Sequence, residues 1–236
     1  MKTIIIVLLI SGSLIFGISK INPNTSKTND ISTMGDITQF HLVQPQAKDI
    51  IPLFGLDKDQ WNGGDFHFVD INDVSFNHVY EVKIEKENKW LSNEFERTKK
   101  VKNFTSSITK ILSDAAKAKV GRSNSSIYIP IAHELNRLSQ SYLDTKILLV
   151  YSDLIENTNQ MSFYDSTKLS LVKKNPQLIT KYFSSLVPLR NLNGIKVYLI
   201  YQPSNSVEDG QYRIMSEYYK NLLESKGATV DIVANL

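Results

Sequence analysis

The chain has 236 residues, 42% hydrophobic and 22% charged, enough to bury one sizeable core and too apolar to stay disordered as a whole. Its net charge of +3 is spread over polar helical faces, without the basic stripe that nucleic-acid binding needs, so no nucleic-acid partner is expected. There is no cysteine, which excludes disulfides, thiolate metal sites, a cysteine nucleophile and an acylated-cysteine anchor.

Met1-Lys2 precede an apolar run from Thr3 to Ile18, interrupted only by Ser11, Gly12, Ser13 and Gly17. A short positive region before a hydrophobic stretch is the pattern of a secretory signal, and this one falls a little short of the roughly 20 residues of a membrane span. Residues 1–19 read as a cleaved signal or an uncleaved N-terminal membrane anchor, and the rest as exported. Residues 20–48 are rich in Asn, Thr, Ser and Asp with no sustained period, and read as a polar linker. One folded domain is expected over residues 50–236.

The first expected strand is Phe66–Ile71. Val79–Ile84 follows with alternating apolar and charged residues, the pattern of a half-exposed edge strand. Between Asn93 and Ala118, Val101, Phe104, Ile108, Ile111 and Ala115 recur at helical spacing, and a second helix is expected over Ile129–Gln140. Lys146–Tyr151 is a continuous apolar run that suits a central parallel strand covered on both faces. Helix is then expected from Ser166 to Leu186, restarting at Pro176, followed by a strand over Ile195–Tyr201. A helix over Tyr212–Lys226, stopped by Gly227, leads to a last strand over Thr229–Val233. This alternation predicts an α/β fold of three layers, α/β/α, around a mostly parallel, doubly wound sheet with one antiparallel edge strand.

In such a sheet ligands bind beyond the carboxyl ends of the strands, where strand order reverses. Asp73-Val74-Ser75-Phe76-Asn77 follows the first expected strand, Ser125 precedes the second helix, and Ser152-Asp153 follows the central apolar run. Carboxylates and hydroxyls from separate loops suit a hard cation such as Mg²⁺, or Mn²⁺ or Ca²⁺ in its place. Neutral hydroxyls leave such an ion under-neutralised, so an open position would attract a carboxylate from outside.

The order of strand, Asp-x-Ser-x-Asn, long helix, Ser before a helix, apolar strand and Ser-Asp resembles the von Willebrand factor A domain with its metal-ion-dependent adhesion site. That family carries Asp-x-Ser-x-Ser after its first strand, a Thr before a later helix and an Asp after its fourth strand. The resemblance spans roughly Asp65 to the C-terminus. It implies a metal site of Asp73, Ser75, Asn77, Ser125 and Asp153, with Asn77 in place of the second Ser and Ser125 in place of Thr. It also implies a non-catalytic module that binds an acidic group on a protein partner through the ion. A metal-free scaffold or subunit of an envelope assembly is the alternative, and a metal-dependent hydrolase using Asp73 or Asp70 near Asp153 is a third.

Each residue also has a plain structural reading. Asp73 and Ser75 would close a turn, Ser125 or Ser126 would cap a helix, and Asp153 would cap a short helix with Glu156 in its first turn. The remaining residues add no catalytic signature. His133-Glu134 lacks the second histidine of a zinc-protease helix, and neither a phosphate loop nor a nucleophile elbow occurs.

Overall fold

The computed structural model describes residues 26–36, 43–71, 78–117 and 124–236. The strands are β1 (Thr28–Asp36), β2 (Gly63–Ile71), β3 (Val79–Ile84), β4 (Thr145–Tyr151), β5 (Ile195–Ile200) and β6 (Thr229–Val233). They form one sheet in the order β3-β2-β1-β4-β5-β6. All neighbouring pairs are parallel except β2 with β3, which is antiparallel and lies at the edge.

Helices cover both faces. On one lie α3 (Tyr128–Gln140), α4 (Ser166–Lys174), α5 (Pro176–Leu186) and α6 (Ser206–Glu224), packed on Met34, Val69, Leu148, Val150, Val197 and Leu199. On the other lie α1 (Ala47–Ile50), a 3-10 turn over Ile51–Phe54 and α2 (Glu94–Lys117), packed on Ile31, Phe66, Phe68, Leu149 and Tyr151. The architecture is the expected three-layer α/β/α fold with one antiparallel edge strand.

Local chemistry fixes where the helices begin. Asn93 accepts from the Phe95 and Glu96 N–H groups at the start of α2, and Asn205 does the same for Val207 and Glu208 at the start of α6. Pro176, at the first position of α5, follows Asn175, whose side chain accepts from Leu178 N–H. Arg97 ties α2 to the sheet edge from a fully buried position. Its guanidinium donates to the carbonyls of Gln60 at 2.6 Å, Glu85 at 2.7 Å and Asn62.

The structure corrects two expectations. The stretch read as a polar linker contains β1, and β1 is central, pairing with β2 on one side and β4 on the other. The folded part therefore begins well before residue 50, and Phe66–Ile71 belongs to the second strand in chain order. Three of the polar residues inside this strand are held by partners elsewhere in the fold. The Asp30 carboxylate takes both ends of the Arg137 guanidinium, Ser32 donates to Glu134, and Asp36 accepts from Ser152. The expected signal or anchor over residues 1–19 lies outside the described residues.

Candidate functional site

From β1 the chain steps outward to β2 and β3, then crosses back to β4 and continues to β5 and β6 on the opposite side. Strand order therefore reverses between β1 and β4, and the crevice at their carboxyl ends is where this fold class offers a ligand site. β1 ends at Asp36, and β4 is followed by Ser152 and Asp153. All three are buried.

Asp36 and Ser152 meet directly, the Ser152 hydroxyl donating to Asp36 Oδ2 at 3.2 Å. Ser152 Oγ also accepts from Leu154 N–H at 3.0 Å, and Asp153 Oδ1 accepts from Ile155 N–H at 2.9 Å. These two side-chain turns bend the backbone sharply after β4. Leu154, fully buried between them, has φ +63°, a left-handed conformation that costs a non-glycine residue about 1–3 kcal/mol. Asp153 Oδ2 accepts from the Tyr164 hydroxyl at 3.4 Å. Tyr201, just past β5, borders the same crevice. Burial, then Glu208, then the charge of Asp153 push its phenol well above the usual range.

The loop before α3 joins this crevice through backbone pairing. Ser125 N–H donates to Asn157 O at 2.9 Å, and Asn157 N–H donates back to Ser125 O at 2.8 Å. Glu156 is buried beneath that pairing, and its Oε2 accepts from Ile127 N–H at 2.8 Å and Tyr128 N–H at 2.9 Å. A carboxylate on the amino end of α3 satisfies donors that a helix leaves open and complements the helix dipole. Burial nonetheless pushes the Glu156 carboxyl up, opposed by the N–H groups of Tyr128 and Ile127 and by the Ser126 hydroxyl.

Of the residues proposed from sequence, Asp153 follows β4, and Ser125 pairs through its backbone with Asn157, four residues further along. Asp73, Ser75 and Asn77 lie outside the described residues. The strand before them, β2, is separated from β4 by β1, so the acid that stands beside the β4 loop is Asp36. The plain structural readings also resolve. Asp153 closes a turn that no helix directly follows, α4 starting only at Ser166, and the amino end of α3 is capped by Glu156 in place of a serine. Sequence reading missed Asp36 and the capping role of Glu156. For Asp36 a signal was present, since Asp36-Ile37-Thr38 sets an acid and a hydroxyl two apart immediately after Ile31 and Met34.

The oxygen set suits a hard cation: carboxylates on Asp36 and Asp153, hydroxyls on Ser125 and Ser152. The Ser125 hydroxyl is buried and lacks a hydrogen-bond partner among the described residues. A dry unsatisfied hydroxyl costs about 1–3 kcal/mol, and an ion or an ion-bound water is one way to satisfy it. No protein-family model matches the chain, and no curated protein matches it.

Proposed function

We propose that the chain is an exported von Willebrand A-like binding module that holds a divalent cation at the β1–β4 switch point and engages an acidic group of a protein partner through it. The residues that would hold the ion are Asp36, Ser125, Ser152 and Asp153, with Mg²⁺ the best match to an all-oxygen set and Mn²⁺ or Ca²⁺ as substitutes. The observation that carries the reading is the buried Ser125 hydroxyl, without a hydrogen-bond partner among the described residues, in a loop whose backbone pairs with Asn157 just beyond Asp153. The family's motif supports it, because its leading Asp follows the first strand and its last Asp follows the fourth. In this chain those positions are Asp36 and Asp153, with Thr38 at the hydroxyl position two beyond Asp36 and Phe40 where the family has its second Ser. Export is inferred from the Thr3–Ile18 apolar run behind Lys2.

The ion would supply an electrophilic coordination position to an outside carboxylate. Asp36 and Asp153 would neutralise it, and the turn around Leu154 would keep Asp153 in place. Calorimetric titration of the chain with Mg²⁺ tests this. Binding heat is expected in the parent, and is expected to vanish in Asp153→Ala and fall in Asp36→Asn. Equal heats in all three would end the cation reading and leave the metal-free scaffold.

A further inference from the structure

A second polar cluster lies far along the same strands from that rim, near the amino ends of β1 and β2. Strand register sets it out as two rows across three strands. Asp30, Asp65 and Lys83 form one row, and Ser32, His67 and Glu81 form the next. Residues paired across neighbouring strands share a face, and here it is the face covered by α3, since Asp30 meets Arg137 and Ser32 meets Glu134.

One oxygen from each of Asp30 and Asp65 and one ring nitrogen of His67 lie within 4.8 Å of one another. His67 is only 6% exposed, and its Nε2 faces Asp65 Oδ1 at 3.2 Å and Glu81 Oε1 at 3.6 Å. Neither ring nitrogen of His67 has a hydrogen-bond partner among the described residues, and neither does Asp65 Oδ1. A buried imidazole nitrogen aimed between two carboxylates can donate a proton to one of them or be bridged to both by a metal ion. The separations of His67 Nε2 from Asp65 Oδ1 and Glu81 Oε1 bracket the roughly 3.4 Å between two ligands held about 2.0–2.1 Å from one tetrahedral centre, and an ion would draw Asp30 in to complete the set.

Charge points the same way. Four carboxylates, Asp30, Asp65, Glu81 and Glu134, are held by two paired cations, Arg137 and Lys83, which leaves two negative charges unmatched. A divalent ion beside a neutral imidazole cancels them. Lys83 sits on Asp65 Oδ2 at 3.1 Å, leaving Oδ1 toward His67. The Arg137 fork engages both oxygens of Asp30, yet each carboxylate oxygen keeps a second lone pair.

We propose that Asp30, Asp65 and His67 bind a divalent transition ion of the Zn²⁺ type, with Glu81 as the next oxygen at the edge of the sheet. Imidazole among the ligands distinguishes this centre from the all-oxygen rim and favours Zn²⁺ over Mg²⁺. The ion would pin β1, β2 and β3 together, a structural role that does not depend on the rim.

The test uses the full chain stripped with chelator and titrated with Zn²⁺, and with Co²⁺ as a spectroscopic substitute. One equivalent is expected to bind and raise the unfolding temperature. His67→Gln is expected to weaken affinity by more than about tenfold, the scale at which losing even an outer partner of a metal ligand is felt. Asp153→Ala is expected to leave Zn²⁺ binding intact, so this centre and the rim fail or succeed separately. The proposal is overturned if the intact chain takes up no Zn²⁺, or if a cooperatively folded His67→Gln gives the parent isotherm. Should that variant not fold, the Co²⁺ spectrum of the intact chain decides: intense tetrahedral bands support the site, and a weak octahedral spectrum overturns it.

Discussion

Glu156 shows how one buried carboxylate can serve structure while opposing its own ionisation. Its Oε2 closes two open N–H groups of α3, yet burial makes the charged form costly and pushes its proton affinity up. For an acid whose folded value is raised, the native state holds the proton more tightly than the unfolded chain. Its contribution to stability is therefore greatest at low pH and declines as pH rises from the ordinary glutamate value through the folded one. Glu156→Gln keeps an oxygen for both donors and removes the charge. Urea midpoints measured from mildly acidic to neutral pH are expected to lose this decline, with stability at neutral pH at or above the parent. Glu156→Ala leaves both donors without an acceptor and is expected to cost about 3 kcal/mol. A Gln variant that keeps the parent's pH slope would place the titration elsewhere.

At the scale of elements, close packing of β2 on the opposite face depends on a missing side chain. A Cβ at Gly64 would stand 2.6 Å from a Phe54 ring carbon and 3.0 Å from the tip of Phe104, whose rings pack edge to face. Gly64→Ala must displace one of them and is expected to cost about 1–3 kcal/mol, seen as a lower urea midpoint at unchanged slope. Gly210, inside α6, has no neighbour within 4 Å of its would-be Cβ. Gly210→Ala is expected to gain about 0.5–1 kcal/mol in the same assay, because alanine loses less backbone freedom in a helix.

Elements with an apolar period were legible for the same reason that they pack. Val79–Ile84, the α2 stripe, the β4 run and the last strand all carry their partners' preferences in local sequence. β1 does not. Its large apolar side chains, Ile31 and Met34, point to opposite cores, and Asp30, Ser32 and Asp36 are buried only because Arg137, Glu134 and Ser152 wait for them more than 100 residues away. Ser125 and Asp153 could be named because they flank recognisable elements. Asp36 was harder to find, since only Ile31, Met34 and the Asp36-Ile37-Thr38 spacing mark its strand among polar residues.

For the whole molecule, the consequence is that the sheet is organised around its least hydrophobic strand. β1 pairs with β2 along Thr28–Asp36 and with β4 along Asn29–Gly35. Removing it would not trim an edge. It would expose two inner edges, strand the β2–β3 pair from β4–β6, and leave the backbone groups that faced it on both neighbours without partners. It would also take Asp30 and Ser32 from the Arg137 guanidinium, leaving it only Glu134 of its own helix. A chain starting at Ser26 is therefore expected to unfold cooperatively in urea, whereas one starting at Lys48, the end of the stretch read as linker, is expected to give a broad, low-cooperativity transition or to aggregate. Tryptophan fluorescence and far-ultraviolet circular dichroism on the two chains provide the comparison. Coincident cooperative transitions in both would mean that β1 is dispensable, and with it Asp36 and the crevice it shares with Ser152.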